Sequence, residues 1–267
     1  MATHLEDRVT VRTDVAFGTG GGRELRCDVY EPPASIKNGL GVLLVHGGGW
    51  SQGDRTQLKG YGILLGRRGY LCVASEYRLT GEALWPAQIE DVKAAIRWMR
   101  ANASQLGIDP DRIVIEGNSA GGHLTLVAAG TAGLPELEGA GGNLGVSTAV
   151  AAAIAFYPPT GLERRAWGGL PALFGPDALA ETLRTASPLT YAKPGYPPTL
   201  LIQGNADDVV PARESTAMYD ALHAAGVPVE LHMFANQPHA FDADPKLGRL
   251  SAEIMLSFLD RVLPPRS

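Results

Sequence analysis

The sequence predicts an α/β fold in which a mostly parallel, eight-stranded sheet carries helices on both faces. Strand-like and helix-like segments alternate along almost all of the 267 residues, which is the pattern of sheets built from strand–helix–strand units. The apolar stretch LGVLLV at 40–45 is continuous rather than alternating, as expected of a strand covered on both faces. Amphipathic helical patterns between the strands supply that cover.

The first two strands, Val9–Phe17 and Leu25–Glu31, are expected to form an antiparallel hairpin. Both are short and partly alternating, and the glycine-rich sequence GTGGG at 18–22 joins them. The remaining six strands are predicted at Leu40–His46, Tyr70–Ser75, Arg112–Glu116, Val150–Phe156, Thr199–Gln203 and Val229–Phe234.

The clearest helix is predicted over Pro86–Leu106, where apolar residues recur at spacings of three and four. The charged residues Glu90, Lys93, Arg97 and Arg100 are expected to face away from the core, and Asp91 is expected on the helix surface. Further helices are predicted over Leu58–Arg68, from about Ser119, over Ala212–Ala225 and over about 245–263. The segment 157–197 is irregular and rich in Pro and Gly, so we interpret it as a small lid or insertion within one domain spanning 1–267.

Composition excludes several classes of partner. The net charge is −5 and no cluster of Lys and Arg occurs, so neither nucleic acid nor an anionic membrane is expected as a partner. The N-terminal residues lack an apolar signal region and no apolar stretch approaches 18 residues, which predicts a cytoplasmic protein. Cys27 and Cys72 lie in strand-like contexts and are expected to be buried free thiols. No metal-binding spacing occurs, so no metal or cofactor is expected.

The strongest chemical signal is the G-x-S-x-G sequence at 117–121, which lies between a predicted strand and a predicted helix. A sharp turn at this junction would lift Ser119 above the carboxyl edge of the sheet as a nucleophile, next to a helix N-terminus that favours negative charge. The structural alternative is a tight turn in which Ser119 only caps the helix.

A second glycine-rich sequence, HGGGW at 46–50, directly follows the buried strand at 40–46. Acyl transfer develops an oxyanion, and backbone N–H groups in a loop without side chains can approach it closely. The candidate donors are Gly48 and Gly49, together with the N–H of Ala120; the alternative is a flexible glycine turn. His46 is expected to shape this loop rather than to act as a base.

A nucleophilic serine needs a base, and the base needs an acid that orients it. The histidines after Ser119 are His123, His223, His232 and His239. Only His239 follows a strand in a loop at the carboxyl edge, where it could reach the serine. The acid is expected in the loop after the preceding strand, and by location both Asp207 and Asp208 qualify.

These motifs occur together with YRL at 77–79, GIDPDRI, GNADDVVP and PHAF. Over residues 25–260 they resemble the hormone-sensitive-lipase-like and feruloyl-esterase-like branches of the α/β hydrolases. The resemblance implies the α/β-hydrolase fold, with Ser119, Asp207 and His239 as a catalytic triad. It also implies oxyanion donors at Gly48, Gly49 and Ala120.

Two features depart from the pattern of these relatives. Asn118 precedes the serine where relatives often carry Asp or Glu, and a full N-terminal helical cap is not expected before the strand at 40–46. The second departure favours short-chain or aromatic acyl esters over long lipids. Trp50, Trp85 and Trp167 are candidates to line the substrate pocket, with aromatic packing as the equal alternative.

The function that the sequence favours is hydrolysis of a small-molecule carboxylic ester through an acyl-enzyme. An amidase, formamidase or peptidase would use the same triad, so these activities remain open. A ligand-binding homologue without activity is the alternative from another class. The sequence also leaves a homodimer open.

Overall fold

The computed structural model describes residues 8–164 and 170–264. Within these residues the strands form one eight-stranded sheet in the order β1-β2-β4-β3-β5-β6-β7-β8. The strands are β1 (Thr10–Gly20), β2 (Arg23–Glu31), β3 (Gly41–Val45), β4 (Leu71–Ser75), β5 (Ile113–Asn118), β6 (Ala152–Phe156), β7 (Thr199–Gly204) and β8 (Val229–Phe234).

Strands β1 and β2 pair as an antiparallel hairpin, and β2 pairs antiparallel with β4. All pairings from β4 through β3, β5, β6 and β7 to β8 are parallel. The prediction of a mostly parallel sheet is therefore confirmed. Because parallel strands end at the same edge, the loops after β3, β5, β6, β7 and β8 all lie at one carboxyl edge.

The helices are α1 (Lys59–Gly66), α2 (Ala87–Ala101), α3 (Ala103–Leu106), α4 (Ala120–Gly130), α5 (Leu170–Phe174), α6 (Ala180–Ala186), α7 (Arg213–Ala224) and α8 (Pro245–Val262). They cover both faces of the sheet, as predicted. Leu43 and Val45 of β3 pack in the core on the side of α2, α4 and α7, whereas Val42 and Leu44 pack on the side of α1 and α8. This alternation explains why the sequence of β3 is apolar at every position.

Helix α2 differs from its prediction in its charged face. The side chains of Lys93 and Arg97 are 0% and 2% exposed, and Asp91 is also buried. The segment between α4 and β6 covers this face. Glu138, which belongs to this segment, lies 2.9 Å from Lys93 Nζ and 3.2 Å from Arg97 Nη1. The expectation of a solvated position was wrong for Asp91, Lys93 and Arg97. For Lys93 and Arg97 the reason is that a distant segment supplies the counter-charge.

The segment after β6, which the sequence marks as irregular, contains α5, α6 and short 3₁₀ helices at Leu162–Arg164 and Pro188–Tyr191. Its start is fixed to α7, because the buried carboxylate of Glu214 accepts hydrogen bonds from the backbone N–H groups of Thr160 and Gly161. A role for this segment as a lid stays a prediction.

Candidate active site

The turn between β5 and α4 consists of Ser119 alone. Its φ of +55° and ψ of −117° are uncommon for a residue with a side chain and typically cost about 1–3 kcal/mol. Gly121 makes the turn sterically feasible, because a Cβ at this position would lie 2.0 Å from the Val45 carbonyl oxygen. The first turn of α4 thus packs directly on the end of β3, and Ser119 lies at the carboxyl edge.

Ser119, His239 and Asp207 form a continuous chain of hydrogen bonds across three strand ends. Ser119 Oγ lies 3.0 Å from His239 Nε2, and His239 Nδ1 lies 2.7 Å from Asp207 Oδ2. Because an ionised carboxylate only accepts hydrogen bonds, the Nδ1–H donates to Asp207. The lone pair of Nε2 is then directed to the Ser119 hydroxyl.

The carboxylate of Asp207 is held independently of the histidine. Its Oδ1 accepts the backbone N–H groups of Val209 and Val210 at 3.0 and 2.8 Å, and its Oδ2 accepts the Gln203 side-chain amide at 3.1 Å. The side chain of Asp207 is fully buried, whereas Asp208 is exposed. Of the two acids that location left open, Asp207 is the one hydrogen-bonded to His239.

The loop after β3 lies next to the serine. A Cβ added to Gly47 would approach the Asn118 carbonyl oxygen to 2.9 Å and Ser119 Cβ to 3.4 Å. Gly48 has a φ of +112°, and a Cβ there would lie 2.1 Å from the Gln52 carbonyl oxygen, so the turn requires glycine. Within the described chain the backbone N–H groups of Gly48 and Gly49 donate no hydrogen bond.

His46 stabilises this loop from its buried side. It is 1% exposed, and its ring stacks on Tyr77 with centroids 4.3 Å apart. Its Nδ1 lies 2.8 Å from the Gly47 carbonyl oxygen, and the Tyr77 hydroxyl donates to the His46 carbonyl oxygen. Burial lowers the pKa of His46, so the ring stays neutral and shapes the loop.

Trp50 is 4% exposed, and its indole N–H donates to His123 Nδ1 at 3.2 Å. The Nε2–H of His123 must then donate to the Ala186 carbonyl oxygen, 2.8 Å away. Trp85 is half-buried beside His123 and Phe174. This is the aromatic packing that the sequence left open, and contact of Trp50 with substrate stays a prediction. Trp167 lies outside the described residues.

A further group of polar side chains lies beside Ser119 and His239 and was not expected from the sequence. We call Tyr61, Asn118, Tyr157 and Asp242 the Asp242 cluster. Asn118 Nδ2 donates to Tyr157 Oη at 2.9 Å and to Asp242 Oδ2 at 2.8 Å. Both tyrosine hydroxyls also donate to the Asp242 carboxylate. The available signals were weak: a tyrosine directly after a buried strand, and an aspartate three residues after His239.

The described part of the chain contains no group of three His, Cys, Asp or Glu side chains arranged to hold a metal ion. Its helices are all too short or too polar to cross a bilayer. Cys27 and Cys72 are both free and buried.

Comparison with known proteins identifies the family of this chain. The BD-FAE family model matches residues 27–222, which is most of the chain and includes Ser119 and Asp207. The chain belongs to the BD-FAE family. Among curated relatives, the esterase LipQ of Mycobacterium tuberculosis is 33% identical over 92% of this chain. The probable carboxylic ester hydrolase LipM of the same organism is 31% identical over 86%. The chain spans 61% of the length of LipQ and 56% of the length of LipM.

The chain is also similar to solved structures of the thermophilic esterase Est2 from Thermogutta terrifontis. The native form is 26% identical, covers 98% of this chain and 95% of that chain, and superposes with a TM-score of 0.84. Est2 structures bound to propionate and butyrate, and one phosphonylated by sarin, superpose with TM-scores of 0.83, 0.84 and 0.85. These similarities confirm the α/β-hydrolase fold.

Proposed function

We propose that this BD-FAE family member is a carboxylic ester hydrolase in which Ser119 is the nucleophile, His239 the general base and Asp207 the orienting acid. The observation that carries the proposal is the chain of hydrogen bonds from Ser119 Oγ through His239 to Asp207, at 3.0 and 2.7 Å. The names of its relatives, an esterase and a probable carboxylic ester hydrolase, support the same chemistry.

In the proposed acylation step, Ser119 Oγ attacks the ester carbonyl carbon while its proton passes to His239 Nε2. The carbonyl oxygen becomes an oxyanion, to which the N–H groups of Gly48, Gly49 and Ala120 donate. Collapse of this intermediate breaks the bond to the alcohol oxygen, which takes the proton from His239. The acyl group remains on Ser119.

Deacylation repeats these steps with water in place of the serine. His239 removes a proton from the water as the water attacks the acyl-enzyme, and then returns the proton to Ser119 Oγ as the carboxylic acid leaves. Asp207 stabilises the imidazolium formed in both steps. Its buried carboxylate is already oriented by Val209 and Val210, so no reorganisation is needed when the charge develops.

We further propose that the acyl group is short or aromatic. The propionate- and butyrate-bound forms of Est2 support small carboxylic acids as products, because they show that a relative of the same fold holds them. Hydrolysis of acetate to hexanoate esters is therefore expected to exceed hydrolysis of palmitate esters.

The test uses 4-nitrophenyl acetate, butyrate, hexanoate and palmitate, methyl ferulate and 4-nitroacetanilide, together with a fluorophosphonate probe. The wild type should hydrolyse the short esters and bind the probe covalently. Ser119→Ala should lose on the order of 10⁶-fold in kcat and all labelling, as removal of a triad nucleophile does. Ser104→Ala, which changes an exposed serine of α3, is the matched control and should behave as wild type.

Two outcomes would overturn the proposal. Faster turnover of the anilide than of the matched acetate ester would identify an amidase. Absence of both turnover and labelling in the folded wild type would identify a homologue without this activity.

A further inference from the structure

The Asp242 cluster joins side chains from four elements. Tyr61 comes from α1, Asn118 ends β5, Tyr157 follows β6, and Asp242 lies in the 3₁₀ helix Phe241–Ala243. Tyr61, Asn118 and Tyr157 are 6%, 7% and 3% exposed and Asp242 is half-buried, so three of the four side chains are closed to water. The proposed mechanism uses none of these side chains.

The cluster is directly connected to both partners of the proton transfer. Asn118 adjoins Ser119, and Asp242 follows His239 by three residues. Between them, the ring of Tyr157 packs on the imidazole of His239, with centroids 4.6 Å apart and planes at 60°. His239 is therefore fixed at Nδ1 by Asp207 and on its ring by Tyr157.

Tyr157 is itself held in place by the cluster. Its backbone has a φ of +37°, a conformation that residues with side chains adopt uncommonly. Its hydroxyl accepts from Asn118 and donates to Asp242, and Tyr61 donates to the same carboxylate at 3.0 Å. One carboxylate thus satisfies three donors, which neither an amide nor an apolar side chain at 242 could do.

We propose that Asp242 is a positioning residue, which holds Tyr157 against His239 and thereby keeps His239 Nε2 on Ser119 Oγ. This inference rests on the proposed function of Ser119 and His239. It explains why an amide occupies position 118. A carboxylate there would face Asp242 at about the 2.8 Å that now separates Asn118 Nδ2 from Asp242 Oδ2, and two negative charges would repel each other.

The first experiment compares Asp242→Asn with Asp244→Asn. Asp244 also accepts backbone hydrogen bonds, but it only caps α8 and is exposed. Displacement of catalytic groups by about 1 Å can cost on the order of a hundredfold, so Asp242→Asn should lower kcat by about tenfold or more. Its KM should stay within about twofold of wild type, because substrate binding is not altered. Asp244→Asn should leave kcat unchanged.

The second experiment exchanges the charge between the two positions. Asn118→Asp should lower kcat by about a hundredfold at pH 8, because it sets a second carboxylate against that of Asp242. The loss should shrink as the pH falls, because the pair can then share one proton. The double variant Asn118→Asp/Asp242→Asn restores one carboxylate and one amide, and should recover most of the lost kcat.

The other titratable groups near Asp242 do not interfere with this test. Burial raises the pKa of Tyr61, Tyr157 and Glu116 well above their ordinary values, and the charge of Asp242 adds to each shift. Tyr61 and Tyr157 therefore remain protonated over the assay range, and the shift of Glu116 favours its neutral form.

Tyr157→Phe supplies a variant that keeps the ring and removes only the hydroxyl. It should reduce kcat, whereas Tyr196→Phe, which removes a buried hydroxyl that donates to the Leu126 carbonyl oxygen of α4, should not. Wild-type turnover is measured first, since an inactive wild type overturns the proposed function and this inference together. With an active wild type, unchanged kcat in Asp242→Asn, or no rescue in the double variant, overturns the inference alone.

Discussion

At the scale of single residues, the orientation of His239 depends on one carboxylate out of an adjacent pair. Asp207 is fully buried and bonded to His239 Nδ1, and Asp208 is exposed. Asp207→Asn would keep the size of the side chain but present an amide to the imidazole. The acceptor for the Nδ1 proton would then be weakened or lost, and with it the tautomer that leaves Nε2 free to accept the serine proton.

We therefore expect Asp207→Asn to lower kcat by at least about a hundredfold, within the roughly 10⁴-fold known for this change in a serine protease. Asp208→Asn should remain within about twofold of wild type. Steady-state kinetics on the two purified variants, with circular dichroism to verify folding, decides between them. Equal losses would show that the local charge, rather than the hydrogen bond to His239, matters.

The same reasoning distinguishes the expected effect of replacing His239 from that of replacing His232. His239→Ala removes the proposed proton acceptor of Ser119, so kcat should fall by several orders of magnitude, on the order of 10⁶-fold. His232→Ala changes a side chain of β8 that is 40% exposed and contacts Glu230, and should have little effect. Loss of activity in folded His232→Ala would contradict the assignment of the base.

At the scale of elements, His123 links three segments around the site. It belongs to α4, accepts the Trp50 N–H from the loop after β3, and donates to the Ala186 carbonyl at the end of α6. Burial lowers the pKa of His123 to about 4, because a charged imidazole would lose its water and one of its two partners. The neutral ring is therefore part of the packing that joins these elements.

This linkage predicts a pH dependence of stability. An unfolded histidine takes up a proton near pH 6.5, whereas folded His123 remains neutral down to about pH 4. In that window the unfolded state binds more protons, so stability is full above pH 6.5 and declines as the pH falls towards 4. Urea midpoints at pH 7.5 and 4.5 should differ more for wild type than for His123→Gln. The control His223→Gln, an exposed residue of α7, should match wild type.

At the scale of the whole molecule, the buried charges beneath α2 stabilise the fold without touching the site. Lys93 and Arg97 share one carboxylate, that of Glu138, which also accepts hydrogen bonds from Gly133 and Thr148. Glu138→Gln would leave two buried cations without a counter-charge. Breaking a buried pair in this way costs about 3 kcal/mol or more.

The expected result is a lower free energy of unfolding for Glu138→Gln with kcat unchanged at a temperature where the protein stays folded. Glu136→Gln, an exposed residue two positions earlier, should change neither quantity by a measurable amount. Denaturant titration and turnover on the same samples test this. A loss of kcat equal to the loss of stability would show that the α2 side and the carboxyl edge are coupled.

Most of the sheet, and the three hydrogen-bonded residues Ser119, Asp207 and His239, could be predicted because the sequence patterns that mark them are local. Each strand is a short apolar or alternating run bounded by turn residues, and Ser119, Asp207 and His239 each lie in the turn or loop that follows one of these runs. The contact of Asn118 with Asp242 is different, because it joins residues 124 apart in the sequence. Burial of Lys93 and Arg97 likewise depends on a segment whose own sequence, rich in glycine, carries no periodic pattern. Long-range pairing of polar groups leaves no trace in local periodicity.

Ser119 and Asp207 both lie far from His239 in the sequence, and this separation affects the order in which the protein folds. The Ser119–His239 hydrogen bond spans 120 residues and the Asp207–His239 bond spans 32. Contacts between distant residues require large loops to close first and generally form slowly. Hydrolysis should therefore return only once β5, β7 and β8 have aligned, after much of the helical signal has recovered. In a refolding experiment, recovery of the proposed hydrolysis would then mark the completion of the sheet.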